Sequence, residues 1–230
     1  MGNNTPQTVR ATADWQQMLA DAQRVGIVGV PPLEMIRFLH ERRIAIDDLD
    51  AMLIKADLEL VTVYLPRVYC AILRTVVLNA LHLKLDAVIV DVGPGKCDAA
   101  FHVATILEES LDIPIIRTEN RDHHPFGTPI SEGRLPLMEK LLKITEGVKS
   151  PLPDPNPPEP CQATAGFWGV PPRDFSILNL FPDTTHVYGW SRCMETKPRQ
   201  TLTLRPLSTR RSPPFSLPSP SAQKPPWPVS

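Results

Sequence analysis

The amino-acid sequence predicts an α/β fold built from parallel sheet units, and three neighbouring segments support this prediction. Residues 85–92 (LDAVIVDV) form a nearly continuous apolar run, typical of a parallel strand that is covered by helices on both faces. A helical pattern at 99–110 and a second apolar run at 111–120 follow it. Together they make a βαβ unit, which crosses over right-handed. The expected class is therefore α/β with Rossmann-like parallel sheet units.

The elements that precede this unit are a helix, a strand and two further helices. Residues 13–24 have helical spacing, and residues 25–30 (VGIVGV) form a short apolar strand. The two prolines that follow open a helix over 33–43, because proline is tolerated in the first helical turn. Residues 44–63 mix strand and helix signals, and their boundaries stay open. Residues 67–84 predict a helix that is apolar nearly all round and therefore deeply packed.

Proline and glycine residues mark the boundaries of the later elements. Pro114 favours an edge strand or an irregular start for 111–120, since proline cannot donate a hydrogen bond to a neighbouring strand. Residues 135–149 predict an amphipathic helix with Gly147 as its stop. Residues 151–160 contain six of the 27 prolines and are interpreted as a linker.

An internal echo indicates a second unit. GFWGVPP at 166–172 repeats the pattern of GIVGVPP at 26–32, and residues 186–195 (HVYGWSRCME) supply the strand that would follow. Duplication of an α/β unit would explain the echo, and so would turn chemistry shared by two unrelated segments. Both explanations stay open.

The near-zero net charge conceals an acidic body and a basic tail. The chain has 24 basic and 25 acidic residues, but residues 196–230 contain six basic residues, nine prolines and no acid, so residues 1–195 carry a charge of −7. Without hydrophobic periodicity the tail is expected to be disordered, although a shifted reading frame or a proline-rich ligand would have the same composition. The expected organisation is an α/β domain at 1–150 around Cys97, a proline-rich linker at 151–160, the start of a second α/β unit at 161–195 and a disordered tail at 196–230.

Several protein classes are excluded by composition. An acidic body argues against nucleic acid as a partner. The N-terminus has no apolar signal region, and the most apolar stretch, 68–83, is too short to span a bilayer, so we expect a cytoplasmic protein without membrane contact. The four cysteines include no CxxC pair, which argues against a zinc ribbon. The turn at 93–96 (GPGK) lacks the further glycine and the hydroxyl of a phosphate loop.

Cysteines are the main candidates for chemistry. Cys97 follows a predicted parallel strand and starts a helix, where ligands bind and where a thiolate is favoured, although a packed cysteine fits equally well. Cys193 near the end of the last predicted strand leaves the same two interpretations open. Cys70 alone is typical of a core residue, and Cys161 beside the linker is interpreted as incidental. Further candidates are the acid/base groups Asp91, Asp98 (equally a helix cap) and Glu119, and the solvated pair His123 and His124.

Four segments carry a family resemblance: GIVGVPPLEMI (26–36), PRVYCAILRTVVLNALHLKLDAVIV (66–90), the pair Cys97-Asp98, and LDIPIIR (111–117). The chain thereby resembles the subunits of 2-hydroxyacyl-CoA dehydratases and benzoyl-CoA reductases over about residues 24–120, and more loosely over 164–195. It is much shorter than those subunits, and its GPGK turn is not expected of them.

The resemblance implies a [4Fe–4S] cluster held by cysteines between two Rossmann-like domains. By that resemblance Cys70 and Cys97 match two ligands, and Cys193 is the candidate for the third. It also implies a partner subunit and an ATP-dependent activator that delivers a strongly reducing electron, in the dehydratase and reductase chemistry of anaerobic metabolism. Thiolates are the ligands that select such clusters.

Three functional hypotheses result. The first is an iron–sulfur redox or radical enzyme component of the dehydratase type, that is, a lyase or reductase subunit. The second is a binding or accessory module without chemistry of its own. The third is a truncated product of a longer gene, in which the tail does not belong to the protein.

Overall fold

The computed structural model describes residues 15–51, 53–93, 97–121, 130–169 and 175–188. A four-stranded sheet forms the centre of the first part of the chain. Its strands are β1 (Arg24–Val28), β2 (Ala45–Asp48), β3 (Ala87–Asp91) and β4 (Ile115–Thr118), in the spatial order β2-β1-β3-β4. Every neighbouring pair is parallel. This arrangement confirms the predicted α/β class with a Rossmann-like parallel sheet.

Five α-helices accompany the strands in the described part of the chain. They are α1 (Trp15–Met18), α2 (Leu33–Glu41), α3 (Ala71–His82), α4 (Asp98–Ser110) and α5 (Leu137–Lys149), and a short 3₁₀ helix covers Leu58–Val61. Pro32 caps the start of α2, as the sequence predicts. The described part of α1 is much shorter than the predicted helix at 13–24, because the chain leaves the helix after Met18 and turns towards β1.

Helices cover both faces of the sheet. On one face α3 and α4 pack against Val28, Val88 and Val90. On the other face α1, α2 and the end of α5 pack against Ile27 and Ile89. All five residues of β3 are buried, which explains why this strand is a continuous apolar run without polar alternation.

Three predicted boundaries shift, each for a local reason. The helix predicted at 67–84 begins at Ala71 because a turn from Pro66 to Tyr69 precedes it, but seven of its twelve residues are buried, as expected. Gly147 does not stop α5, which continues to Lys149. The helix ends before Pro151, since a residue that precedes proline favours extended backbone. The strand predicted at 111–120 is β4, and it lies at the sheet edge and begins directly after Pro114, as that proline predicts.

A second, two-stranded parallel sheet contains the echoed motif. Its strands are β5 (Ala165–Trp168) and β6 (Thr185–Tyr188), and a 3₁₀ helix at Phe175–Leu180 lies between them in sequence. Gly29 follows β1 with φ +75°, and Gly169 follows β5 with φ +135°. Both glycines therefore adopt a conformation that a side chain disfavours, immediately after a strand that starts a parallel pair. Over the residues that the structure describes, both copies of the echo consist of a strand followed by a glycine with positive φ.

The proline-rich segment at 151–160 is bound to the rest of the chain. Lys143 on α5 forms an ion pair with Asp154 at 2.6 Å, and Gly133 forms an isolated antiparallel bridge with Pro160. Both sheets belong to the compact unit Met1–Arg199. The tail predicted to be disordered, 196–230, and the predicted strand residues beyond Tyr188 lie outside the described residues.

Candidate functional site

The carboxyl edge of the four-stranded sheet is the expected ligand position. The strand order places β1 between β2 and β3, so the connections after β1 and β3 leave in opposite directions. Open α/β sheets bind ligands at the carboxyl ends of the strands at this switch point. The chain segments found there are those that follow each strand, including the residues before α4.

Asp50 accepts a hydrogen bond from the residue that follows β1. The backbone N–H of Gly29 donates to Asp50 Oδ2 at 2.8 Å, and the N–H of Asp50 donates in turn to Asp48 Oδ1 at 3.1 Å. A Cβ atom on Gly29 would lie 3.4 Å from Asp91 Cβ, so the ends of β1 and β3 approach each other closely. The positive φ of Gly29 and the bond to Asp50 fix the exit of the chain from β1.

Asp91 accepts hydrogen bonds from the residues that follow β3 and β4. This side chain is 1% exposed, and its Oδ1 accepts hydrogen bonds from the N–H groups of Gly93 (3.3 Å) and Asn120 (2.9 Å). The Asn120 side-chain amide donates to the carbonyl oxygens of Val30 (3.0 Å) and Pro31 (3.3 Å). Asp91, predicted as an acid/base group, therefore contributes to the connection between three strand ends.

In the described part of this edge, the backbone N–H groups at the strand ends are not available to bind a phosphate. The N–H groups of Gly29, Gly93 and Asn120 already donate to carboxylates, and those carboxylates would repel an anion. Of the other predicted acid/base groups, Glu119 pairs with Arg121 at 2.6 Å, and Asp98 lies in the first turn of α4. Residues 94–96 of the GPGK turn lie outside the described residues.

Cys97 is the N-cap residue of α4, and Cys70 is the N-cap residue of α3. Both have extended ψ angles (125° and 124°), neither side chain makes a capping hydrogen bond, and both thiols are free and exposed. Cys70 is therefore not the core residue that its apolar neighbours in the sequence predict. The N-cap position explains this: the apolar helix begins only after it, and the preceding turn directs the chain outwards.

The two cysteines lie at the same edge of the sheet. The helices α3 and α4 pack side by side on one face, and both run antiparallel to the strands that they connect. Packed helix axes are about 8–10 Å apart at their contact, and both helices begin on this face at the carboxyl edge of the sheet. Each of these positions lies at the positive end of a helix dipole.

An exposed apolar segment leads to Cys70. Val63 is 86% exposed and Val68 is 94% exposed, and Leu60 and Tyr64 are also exposed. Isolated exposed apolar residues are common, but several within nine residues are typical of a surface that another chain covers. This segment separates the 3₁₀ helix from α3.

Cys161, interpreted from sequence as incidental, lies beside a histidine. Its Sγ is 3.9 Å from His186 Nε2 and 3.5 Å from the carbonyl oxygen of Glu132. The pair is 25 residues apart in sequence and forms because the segment before β5 crosses β6, a contact that spacing alone could not predict. The one sequence signal for this contact was the alternation of side chains along β6, since it places His186 and Tyr188 on the same face of the sheet.

The structure does not describe the remaining predicted ligands. Cys193, His123 and His124 lie outside the described residues. Within the described ranges, no group of three or more His, Cys, Asp or Glu side chains could hold a metal ion. The described thiols at the sheet edge are therefore two, Cys70 and Cys97.

No described helix is both long and apolar enough to cross a membrane. Comparison of the chain with protein-family models, with curated proteins and with solved structures finds no match.

Proposed function

We propose that the chain is the cluster-binding component of an iron–sulfur redox or radical enzyme, with Cys70 and Cys97 as two of the cluster ligands. The observation that carries the proposal is the placement of both thiols at the exposed N-termini of neighbouring helices, at the carboxyl edge of a parallel sheet. The sequence resemblance assigns these same two residues as cluster ligands.

The donor set fits such a group in type but is incomplete in number. Iron–sulfur clusters are held by thiolates, most often four, and three thiolates leave one iron open. The described edge supplies two thiolates, so Cys193 or a cysteine of a partner subunit completes the set. A bound [4Fe–4S] cluster supplies single-electron transfer at low potential.

The surrounding residues would support the anionic site. The helix N-termini of α3 and α4 carry the positive ends of their helix dipoles, which would favour the negative charge of a bound cluster. Asp50 and Asp91 are engaged with backbone N–H groups of the strand ends. A partner subunit that covered Val63 and Val68 would exclude water from the approach to Cys70, and a dry surrounding raises the influence of nearby dipoles.

Anaerobic reconstitution tests the proposal. The full-length chain is incubated with ferrous iron and sulfide, and bound iron, bound sulfide and visible absorption are measured. We expect a brown protein, and we expect Cys70→Ser and Cys97→Ser each to lose most of the bound iron. Cys193→Ser distinguishes a third ligand in this chain from one supplied by a partner.

Cys161→Ser is the matched control, because Cys161 lies on the second sheet and not at the edge that holds Cys70 and Cys97. It should keep the iron content of the parent chain. A protein that stays colourless after reconstitution contradicts the proposal, and so does full iron content in both Cys70→Ser and Cys97→Ser.

The second candidate is an accessory module without chemistry. The observation that favours it is the hydrogen bonding at the switch point, where the Asn120 side chain donates to the carbonyl oxygens of Val30 and Pro31 and so joins the chain after β4 to the chain after β1. If this candidate is correct, Cys97→Ala and Cys193→Ala retain both the stability and the partner binding of the parent chain. Co-purification with a tagged chain in the two backgrounds measures the difference.

A further inference from the structure

The carboxyl edge of the four-stranded sheet carries two oxygen donors on the same face. Asp91 and Thr118 are opposite each other in the register of β3 and β4. They follow Ile89 and Ile116 by two residues, and those isoleucines pack on the face that α2 covers. Because side chains alternate along a strand, Asp91 and Thr118 lie on that face as well. Neighbouring strands are about 4.8 Å apart, so the carboxylate and the hydroxyl group are side by side.

The Thr118 hydroxyl group is buried without a hydrogen bond. Thr118 is 1% exposed, and its Oγ1 has no hydrogen-bond partner among the described residues. Buried polar atoms are nearly always hydrogen-bonded, so an exception indicates a water, an ion or a ligand that occupies the position next to it. The oxygen of a hydroxyl group has two lone pairs, and this one lies at the end of the sheet where open α/β folds bind ligands.

Gly29, at the end of β1, leaves space beside Asp91. Apart from its chain neighbours, the only described atoms within 4 Å of the position of a Gly29 Cβ belong to Asp91: its Cβ at 3.4 Å and its carbonyl oxygen at 3.6 Å. The positive φ of Gly29 (+75°) disfavours any side chain at this position. The fold therefore keeps a position next to the Asp91 side chain clear of side-chain atoms of residue 29.

The charges around Gly29 favour a cation. Asp50 approaches from the chain after β2, since its Oδ2 accepts the Gly29 N–H at 2.8 Å, and Asp91 approaches from β3. Asp48, which is 2% exposed, adds a third carboxylate beside Asp50. Carboxylates that are close together and shielded from water repel each other, and a cation between them offsets this repulsion. All the donors are oxygens, which hard cations prefer, whereas softer metals prefer thiolates.

We propose that this edge binds one hydrated Mg²⁺ ion beside Gly29, with Asp91 and Thr118 as ligands and Asp50 bonded to one of its waters. Two N–H groups bond to Asp91 Oδ1, but a carboxylate has about four acceptor positions and can bind an ion in addition. Mg²⁺ keeps several waters and takes only one or two carboxylates from a protein. Such a site therefore does not require three clustered acidic side chains, and the described residues include no such cluster that could hold a metal.

The experiment uses the full-length chain in metal-free buffer, to which MgCl₂ is added. KCl at equal ionic strength is the control for the general effect of salt on charged groups. A ligand that binds only the folded chain raises its stability by mass action. We expect MgCl₂ at about 10 mM to raise the melting temperature, followed by circular dichroism, by about 5 °C above the KCl control. Isothermal titration calorimetry should show one bound Mg²⁺ ion per chain.

Thr118→Val separates binding of the ion from a structural role of the side chain. Valine has a similar shape and lacks the hydroxyl group, and no hydrogen bond to a described residue is lost. Without Mg²⁺ this variant should melt at the parent temperature or above it. With Mg²⁺ its rise in melting temperature should be less than half that of the parent, and Thr118→Ser, which keeps the hydroxyl group, should restore most of the rise.

Asp91→Asn tests the charge of the carboxylate. The amide oxygen of asparagine can still accept the N–H groups of Gly93 and Asn120, so the strand ends stay connected while the rise with Mg²⁺ is lost. Ser131→Ala is the matched control. The Ser131 hydroxyl group is also buried without a described partner, but it lies in the 3₁₀ helix Ile130–Glu132 before α5. This variant should show the full rise with Mg²⁺.

Two results would overturn the proposal. One is a parent chain that MgCl₂ stabilises no more than KCl does, or that binds no Mg²⁺ in the calorimeter. The other is a Thr118→Val variant with the same rise in melting temperature as the parent. Should Asp91→Asn not fold, Thr118→Val decides, since it removes no hydrogen bond to a described residue. Neither measurement involves the thiols, so the outcome does not depend on whether the chain binds an iron–sulfur cluster.

Discussion

Replacing Asn79 with leucine should destabilise the fold strongly. The Asn79 side chain on α3 is fully buried and makes three hydrogen bonds to the chain that follows β2. Its Nδ2 donates to the carbonyl oxygens of Leu49 (2.9 Å) and Ala51 (2.7 Å), and its Oδ1 accepts from the N–H of Ile54 (3.2 Å). Leucine has a similar volume and can replace none of these bonds.

The expected loss follows from the bonds that are broken. A buried group left without its partner costs about 1–3 kcal/mol, so three groups cost about 4–6 kcal/mol when their losses are partly shared. Burial of the apolar leucine returns about 1–2 kcal/mol. We therefore expect a loss of about 3 kcal/mol in the free energy of unfolding, measured by urea denaturation followed by circular dichroism.

Thr75→Ala is the control on the same helix. Its Oγ1 bonds only to the Ala71 carbonyl oxygen one turn earlier, so we expect a change within about 0.5 kcal/mol. Hydrogen exchange gives a second readout, because the amide of Ile54 should lose protection in Asn79→Leu. A loss below about 1 kcal/mol for Asn79→Leu would refute the reasoning, since it would mean that the three backbone groups do not depend on this side chain.

Three further changes are predicted to alter stability. Gly93→Ala places a Cβ 2.9 Å from the Glu119 backbone and should lower the free energy of unfolding by about 1–3 kcal/mol; an unchanged melting temperature would contradict this. Lys140→Met removes a fully buried ammonium group that donates to two backbone carbonyl oxygens, and we expect a loss of about 1–3 kcal/mol by urea denaturation; an equal or higher midpoint would be inconsistent with this role. Hydrogen bonding to Lys143 lowers the pKa of Asp154 from 3.8, so this carboxylate contributes stability that is present above pH 3.8 and is lost as the pH falls through its folded value. Asp154→Asn should therefore lower stability at pH 7 by less than about 1 kcal/mol and have no effect at pH 2, and an equal loss at both pH values would argue against the ion pair.

The fold was predictable wherever one local rule dominated. Strand β3 is buried on both faces, so its apolar run is visible in sequence without any tertiary information. The proline-started helix α2 and the edge strand after Pro114 follow from the missing N–H of proline. The strand β2 was not predictable, because two of the four residues in AIDD are aspartates, which are rare in strands, and pairing to β1 makes the segment a strand.

The candidate site was predictable only in part. The position of Cys97 follows from strand–turn–helix order, and the structure places it at the N-cap of α4. The exposure of Cys70 was not visible from its apolar neighbours, because the turn before α3 determines it. The contact between Cys161 and His186 depends on how the proline-rich segment crosses β6, which is a tertiary property.

The Asn120 side chain has a consequence for the order of folding. It joins the end of β4 to Val30, 90 residues earlier in the chain. A contact of such separation forms only after a long loop has closed, and loop closure is slow compared with helix formation. The carboxyl edge is therefore among the last parts of the sheet to assemble, after β4 has docked. During synthesis, Cys70 and Cys97 leave the ribosome well before Asn120, so the edge that contains both cysteines is completed only by chain that is made after them.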